Sequence, residues 1–189
     1  MNFGICSLSV IPCRKEPAST SEMVTQLLFG ETYTIVEEGE DWIRITTNYD
    51  NYPCWISAKQ HTRITDSDFK SLKTNTLSSE LVQVISNVSN HSVFPLTVGA
   101  SLPNFKDGKL KIGDIEYIFE GQTSDMEIKK SINDLKDTAY LFLNAPYLWG
   151  GRSPFGIDCS GFTQLVYKLN GYQLPRDASQ QVELGTPLS

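Results

Sequence analysis

The sequence predicts an α+β chain in which two small β-barrels precede a helix-bearing module. Three observations carry that reading. Short runs of strand formers separated by polar turns occupy the first two thirds of the chain. From about residue 127 the apolar period changes to that of a helix. Near the end, Gly156-Ile157-Asp158-Cys159-Ser160-Gly161 sets one cysteine at the mouth of a second predicted helix.

Residues 1–66 read as the first β unit. Thr32-Tyr33-Thr34-Ile35-Val36 is rich in strand formers, and Glu38-Gly39-Glu40-Asp41 is a polar turn. Trp42-Ile43-Arg44-Ile45 alternates apolar and polar, as a half-buried strand does. Asn48-Tyr49-Asp50-Asn51 makes the next turn, before Cys54-Trp55-Ile56-Ser57. Residues 67–127 repeat the style in a second unit. Leu81-Val82-Gln83-Val84-Ile85 and Ile115-Glu116-Tyr117-Ile118-Phe119 are its strand candidates, and Asp107-Gly108 is a hairpin-type turn. Residues 128–189 form the third part. It opens on an amphipathic helix carrying Ile128, Ile132, Leu135, Ala139, Phe142 and Leu143.

The second helix carries the chemistry. Asp158 is a good N-cap residue, Phe162, Leu165, Val166 and Leu169 follow at helical spacing, and Asn170-Gly171 is a helix stop. The helix therefore spans about Cys159 to Leu169. The partial positive charge of a helix N-terminus favours thiolate, the attacking species, over thiol. Ser160 and Gly161 are small enough to let a carbonyl reach the sulfur. The plainer alternative is an inert cysteine buried at the start of an amphipathic helix.

The flanks extend the pattern. Pro146-Tyr147-Leu148-Trp149-Gly150-Gly151 precedes the cysteine, and Leu174-Pro175-Arg176-Asp177-Ala178-Ser179-Gln180-Gln181 follows it. The stretch from Pro146 to Gln181 resembles the catalytic module of the NlpC-type cell-wall peptidases, which has a papain-like core. Phe29-Gly30-Glu31, Trp42-Ile43-Arg44-Ile45 and Tyr52-Pro53-Cys54-Trp55-Ile56 resemble a bacterial SH3-like domain. The resemblance implies two SH3-like barrels followed by an incomplete papain-like NlpC-type module.

The same resemblance implies roles. Cys159 is the expected nucleophile. Tyr147 matches the tyrosine whose hydroxyl, with the Cys159 amide, holds the oxyanion. Asp158, Ser160 and Asp177 match positions along the substrate cleft. In relatives with this domain order, a carboxylate and a tyrosine of the first barrel read the free amine of an L-alanyl-γ-D-glutamyl end. Glu22 and Tyr52 are the candidates here. The plainer alternatives are core aromatics at Tyr147 and Trp149, a solvated loop carboxylate at Glu22, a half-buried strand aromatic at Tyr52 and a solvated Arg176–Asp177 pair. The implied reaction is hydrolysis of a γ-D-glutamyl–diamino acid bond in peptidoglycan-derived peptides. It needs no metal and no cofactor.

The histidine base of that family is the missing part. His61 and His91 both precede Cys159, and residues 160–189 hold no histidine. The expectation is a chain inactive by itself, with its base outside the given residues. The alternative is a cell-wall-peptide binding module with a non-catalytic peptidase remnant.

Composition sets outer limits. The net charge of −6 argues against non-specific nucleic-acid binding. No apolar run is long enough to span a membrane. Met1 to Val10 lacks the basic start and apolar stretch of a secretory signal, so a cytoplasmic chain is expected. Cys6, Cys13, Cys54 and Cys159 form no C-x-x-C pair, which argues against zinc. A Cys6–Cys13 disulfide is left open by the sequence. So is the oligomeric state.

Overall fold

The computed structural model describes residues 2–186. Seven short strands open the chain: β1 (Asn2–Ile5), β2 (Val10–Arg14), β3 (Met23–Leu28), β4 (Thr32–Glu38), β5 (Trp42–Thr47), β6 (Pro53–Ser57) and β7 (Thr62–Ile64). They pair antiparallel in the order β3-β2-β6-β5-β4-β1-β7. A single 3-10 turn, Ala58–Gln60, carries the chain from β6 across to β1, where β7 pairs. Among the described residues no ladder joins the end strands β3 and β7, so this first unit is an open sheet rather than a closed barrel. Its β2–β6 ladder is thin, resting on the Arg14–Trp55 pair. The alternation read in β5 is real: Ile43, Ile45 and Thr47 point inward.

A short helix α1 (Asp66–Ser71), boxed at its start by Thr65 and Asp68, leads to the second unit. This contains β8 (Thr76–Ser78), β9 (Val82–Asn87), β10 (Val93–Thr97), β11 (Lys109–Ile112), β12 (Ile115–Ile118) and β13 (Thr123–Asp125). Four of them form a sheet in the order β10-β9-β12-β11, and β13 pairs with β8. It too is open among the described residues. Asp107 and Gly108, both at positive φ, make the tight turn between Lys106 and Lys109.

The last part is helical. It comprises α2 (Ile132–Tyr140), a small β14 (Arg152–Ser153) and β15 (Gly156–Ile157) hairpin, α3 (Cys159–Leu169) and α4 (Ala178–Val182). Ser131 and Asp134 box the start of α2, and α3 has the bounds that its apolar spacing predicts.

Three apolar clusters hold these parts together. One lies inside the first sheet and includes the thiols of Cys6, Cys13 and Cys54. A second is shared, with Phe3, Ile5 and Phe29 packing on Ile85, Leu96, Tyr117 and Phe119. The third joins all three parts. Leu28, Leu77 and Val98 meet Phe142, Ile157, Leu165, Val166 and Leu169. Each such side chain contributes roughly 1.5–3 kcal/mol on burial, so the parts are bonded by core and not only by linkers.

A buried charge cluster crosses the same seam. Glu31, just before β4, accepts from Arg152 at 3.0 Å on each oxygen and from Lys168 Nζ at 2.7 Å. The Leu28 amide donates to it at 2.9 Å. Lys168 also donates to the Gly99 carbonyl at 2.9 Å and lies 4.8 Å from the centre of the Tyr49 ring. Burial alone raises the Glu31 pKa, but Arg152 and then Lys168 outweigh it and hold the carboxyl down at about 2. Burial, aided by Arg152, pulls the Lys168 ammonium down, and Glu31 opposes that.

Glu31→Gln leaves two buried cations without their shared anion. The expected cost is roughly 3–5 kcal/mol at neutral pH. The folded pKa is depressed, so the stabilisation is present above the ordinary carboxylate range, about 4.5, and fades as pH falls toward 2. Denaturant titrations of both proteins at pH 7 and pH 3 check this. The gap between them should narrow at the lower pH, and an equal gap would remove the charge explanation.

Candidate active site

The site begins with the start of α3. The Asp158 carboxylate caps the helix, accepting from the Gly161 amide at 2.7 Å. Its other oxygen accepts from the Gly150 amide at 2.9 Å. Arg176 then grips both oxygens, at 3.1 and 2.7 Å, and donates to Ser160 Oγ at 2.7 Å. A further Arg176 bond runs to Thr25 Oγ1 on β3 at 2.9 Å. Arg176 is buried, and its ion partner is Asp158, not its neighbour Asp177. Burial alone raises the Asp158 pKa. The bonds from Arg176 and from the Gly161 and Gly150 amides outweigh it and hold the carboxyl below its usual range.

Cys159 stands on this frame as the first residue of α3, and it is exposed. The other three thiols are buried, so Cys159 is not the buried cysteine that the plainer alternative supposed. Gln181 secures the far side, donating to the Ser160 carbonyl at 3.0 Å and the Pro175 carbonyl at 2.9 Å. Tyr147 reaches the same place by backbone pairing. It bridges Ile157 in parallel, and the Ile157 amide donates to the Pro146 carbonyl at 3.0 Å. Tyr147 is 68% exposed and Trp149 60% exposed, so neither is a core aromatic.

Gly150 decides how closely this segment meets the first sheet. It has φ +74°, and a Cβ there would lie 2.3 Å from the Met23 carbonyl oxygen. Only glycine allows that approach.

The opposite wall comes from the first unit. The Glu22 carboxylate accepts from Trp149 Nε1 at 2.8 Å and from Lys15 Nζ at 3.3 Å. Tyr52 is half-buried after β5, and burial followed by the charge of Asp177 pushes its phenol pKa up. The walls enclose a cleft of about 630 Å³. Cys159, Tyr147, Asp158, Ser160, Asp177, Glu22 and Tyr52 all line it. Asp158 and Ser160 only border it, since their polar atoms are engaged in the frame. Asp177 also boxes the start of α4 with Gln180.

Neither histidine is there. His61 bonds the Tyr33 hydroxyl through Nδ1 at 2.8 Å, in the first unit. His91 is exposed in the turn between β9 and β10, at φ 58°.

Several site residues escape a reading of the sequence. Lys15 and Asp50 line the cleft but fall in no motif. Asp50 reads as part of a turn, yet it accepts from Gln164 of α3 at 2.8 Å. Trp149 reads as packing, yet it spans the two walls. Such partners lie more than a hundred residues apart in sequence, and no local pattern records them.

Known proteins resemble this chain in sequence and in fold. Residues 144–188 match the NlpC/P60 family, and residues 13–60 match the bacterial dipeptidyl-peptidase Sh3 domain. A gamma-D-glutamyl-L-lysine dipeptidyl-peptidase of Bacillus cereus is 28% identical, over 88% of this chain and 56% of its own length. The protein of the same name from Bacillus subtilis is 28% identical, over 97% of this chain and 61% of its own. The chain thus spans little more than half the length of these two relatives. A solved NlpC/P60 family protein from Bacillus cereus superposes with a TM-score of 0.83 at 20% identity, covering 99% of this chain and 78% of that one. An NlpC/P60 endopeptidase from Photobacterium damselae gives 0.73 at 18% identity, covering 95% of this chain and 45% of that one. The chain is therefore similar to the Sh3 domain over residues 13–60 and to the NlpC/P60 family over residues 144–188.

The exposure pattern makes a direct prediction. Brief treatment of the native chain with iodoacetamide should label Cys159 first. The buried Cys6, Cys13 and Cys54 should react only after denaturation. Peptide mass mapping reads the order, and early labelling of any of the three would contradict the packing.

Proposed function

We propose that this chain is the front part of a cysteine peptidase that hydrolyses the γ-D-glutamyl–diamino acid bond of peptidoglycan-derived peptides. One observation carries the reading. An exposed thiol at a helix start faces, across one cleft, a carboxylate and a tyrosine of the SH3-like unit. The names of the two Bacillus relatives support the same bond.

In this reading the Cys159 thiolate attacks the carbonyl on the γ side of D-glutamate. The carbonyl electrons move onto oxygen, where the Tyr147 hydroxyl and the Cys159 amide donate to the oxyanion. Collapse expels the amine of the diamino acid and leaves a thioester, which water cleaves. A histidine from outside the given residues moves the protons. Glu22 and Tyr52 receive the free ammonium of the terminal L-alanine. The carboxylate retains acceptor capacity for it beside Trp149 and Lys15. Asp177 forms part of the wall next to Tyr52.

The second reading, a binding module with a peptidase remnant, draws on the location of His61 and His91. Neither borders the cleft.

Incubation with L-alanyl-γ-D-glutamyl-L-lysine separates the two. We expect no turnover by these 189 residues and release of lysine by a longer protein that continues into a histidine-bearing sheet. Cys159→Ala should abolish that release. Glu22→Ala and Tyr52→Phe should raise KM for the free-amine peptide and leave an N-acetylated one unaffected. Binding without cleavage by the longer protein would establish the module reading instead.

A further inference from the structure

The proposed substrate carries two charges near its end, and the cleft holds one exposed ion pair to match them. A γ-linked D-glutamate keeps its α-carboxylate free. The L-alanine before it carries the ammonium. An anion in a partly buried cleft needs a cation or strong donors. Among the described residues only Lys15 and Arg176 bring a cation to the lining. Arg176 is unavailable: it is 1% exposed, and its guanidinium bonds Asp158, Ser160 and Thr25. Lys15 is available. Its side chain is 64% exposed, and among the described residues its one carboxylate partner is Glu22 at 3.3 Å.

The backbone fixes that placement. The Lys15 amide donates to the Glu22 carbonyl at 2.9 Å, so the two are cross-strand neighbours extending the β2–β3 hairpin. Arg14 Nη1 braces the same hairpin from the Ser21 carbonyl at 3.0 Å. Lys15 thus sits beside the carboxylate proposed to take the ammonium. A lysine stem reaches several ångströms and turns freely, so its head can leave Glu22 as the substrate ammonium arrives. One internal ion pair is then exchanged for two pairs with the ligand.

We propose that Lys15 is a specificity-determining residue that binds the α-carboxylate of the γ-linked D-glutamyl unit. It selects the free carboxylate over the α-carboxamide, the two forms differing by one charge. This rests on the substrate reading above. It goes beyond that reading by assigning the second charge of the ligand to a residue outside every motif. The plain alternative is a surface cross-strand pair that only steadies the hairpin.

Binding rather than turnover tests it, so the histidine is not needed. L-alanyl-γ-D-glutamate and its α-carboxamide are titrated calorimetrically into the chain as given and into Lys15→Met and Lys15→Arg. The chain is expected to prefer the carboxylate by roughly fivefold at low salt, with the preference shrinking as salt rises. Lys15→Met should lose the preference by weakening the carboxylate ligand alone, and Lys15→Arg should restore most of it. Equal affinities in the unaltered chain, or equal weakening of both ligands by Lys15→Met, would overturn the assignment and leave the substrate reading standing. Tighter binding of both by Lys15→Met would make Lys15 a mere competitor for Glu22 and overturn it too. Binding of neither ligand would overturn the substrate reading, and this assignment with it.

Discussion

The contact between Glu31 and its two cations, Arg152 and Lys168, is the constraint on which the arrangement depends. All three charges are buried; Glu31 comes from the first unit and both cations from the third part of the chain. Desolvation of each costs several kcal/mol, and their mutual ion pairs and hydrogen bonds offset it. Arg152 opens the hairpin that leads to Cys159, and Lys168 lies near the far end of the same helix. One carboxylate of the first sheet therefore fixes both ends of the segment that carries the thiol. Gln26 adds to the grip, its carbonyl accepting from the Arg152 guanidinium and its side chain from the Arg152 amide, both at 2.7 Å.

The second ion pair works at shorter range. Asp158 meets Arg176, Gly150 and Gly161 together, which pins the helix start, the glycine pair and the post-helix segment at one point. This explains why the thiol can be exposed without being loose. Its neighbours Asp158 and Ser160 are buried and bonded, while Cys159 between them is exposed at the cleft. Motif residues that resemble a substrate-binding set thus divide in two. Asp158, Ser160, Arg176 and Gln181 build the frame, and Tyr147, Asp177, Glu22 and Tyr52 face the space it leaves.

What the sequence discloses follows interaction range. The helix from Cys159 to Leu169 is legible because its cap, its apolar face and its stop are all local. The strands at Thr32, Trp42 and Ile115 are legible for the same reason, through alternation and flanking turns. β1, β7, β8 and β13 are not. They are three or four residues long, and pairing with distant strands defines them more than propensity does. Glu31 reads as part of an SH3-like signature, but its counter-ions lie 121 and 137 positions away. Burial also hides Arg152 and Lys168 from a sequence reading, since such side chains are ordinarily solvated. The thiol could be found from its flanks. The wall facing it came from resemblance at Glu22 and Tyr52, and from no signal at all at Lys15.

The seams between the parts are closed by backbone against backbone. A Cβ at Gly150 would meet the Met23 carbonyl oxygen at 2.3 Å, and one at Gly30 would meet that of Ser101 at 2.1 Å. Such fits leave no room for any side chain at these two positions. The thiol-bearing segment is therefore not a cassette. Transplanted behind an unrelated adaptor, it would bring two orphaned cations and a glycine surface shaped for a strand no longer present. In this chain the first sheet and the helical part are fitted to each other as one block.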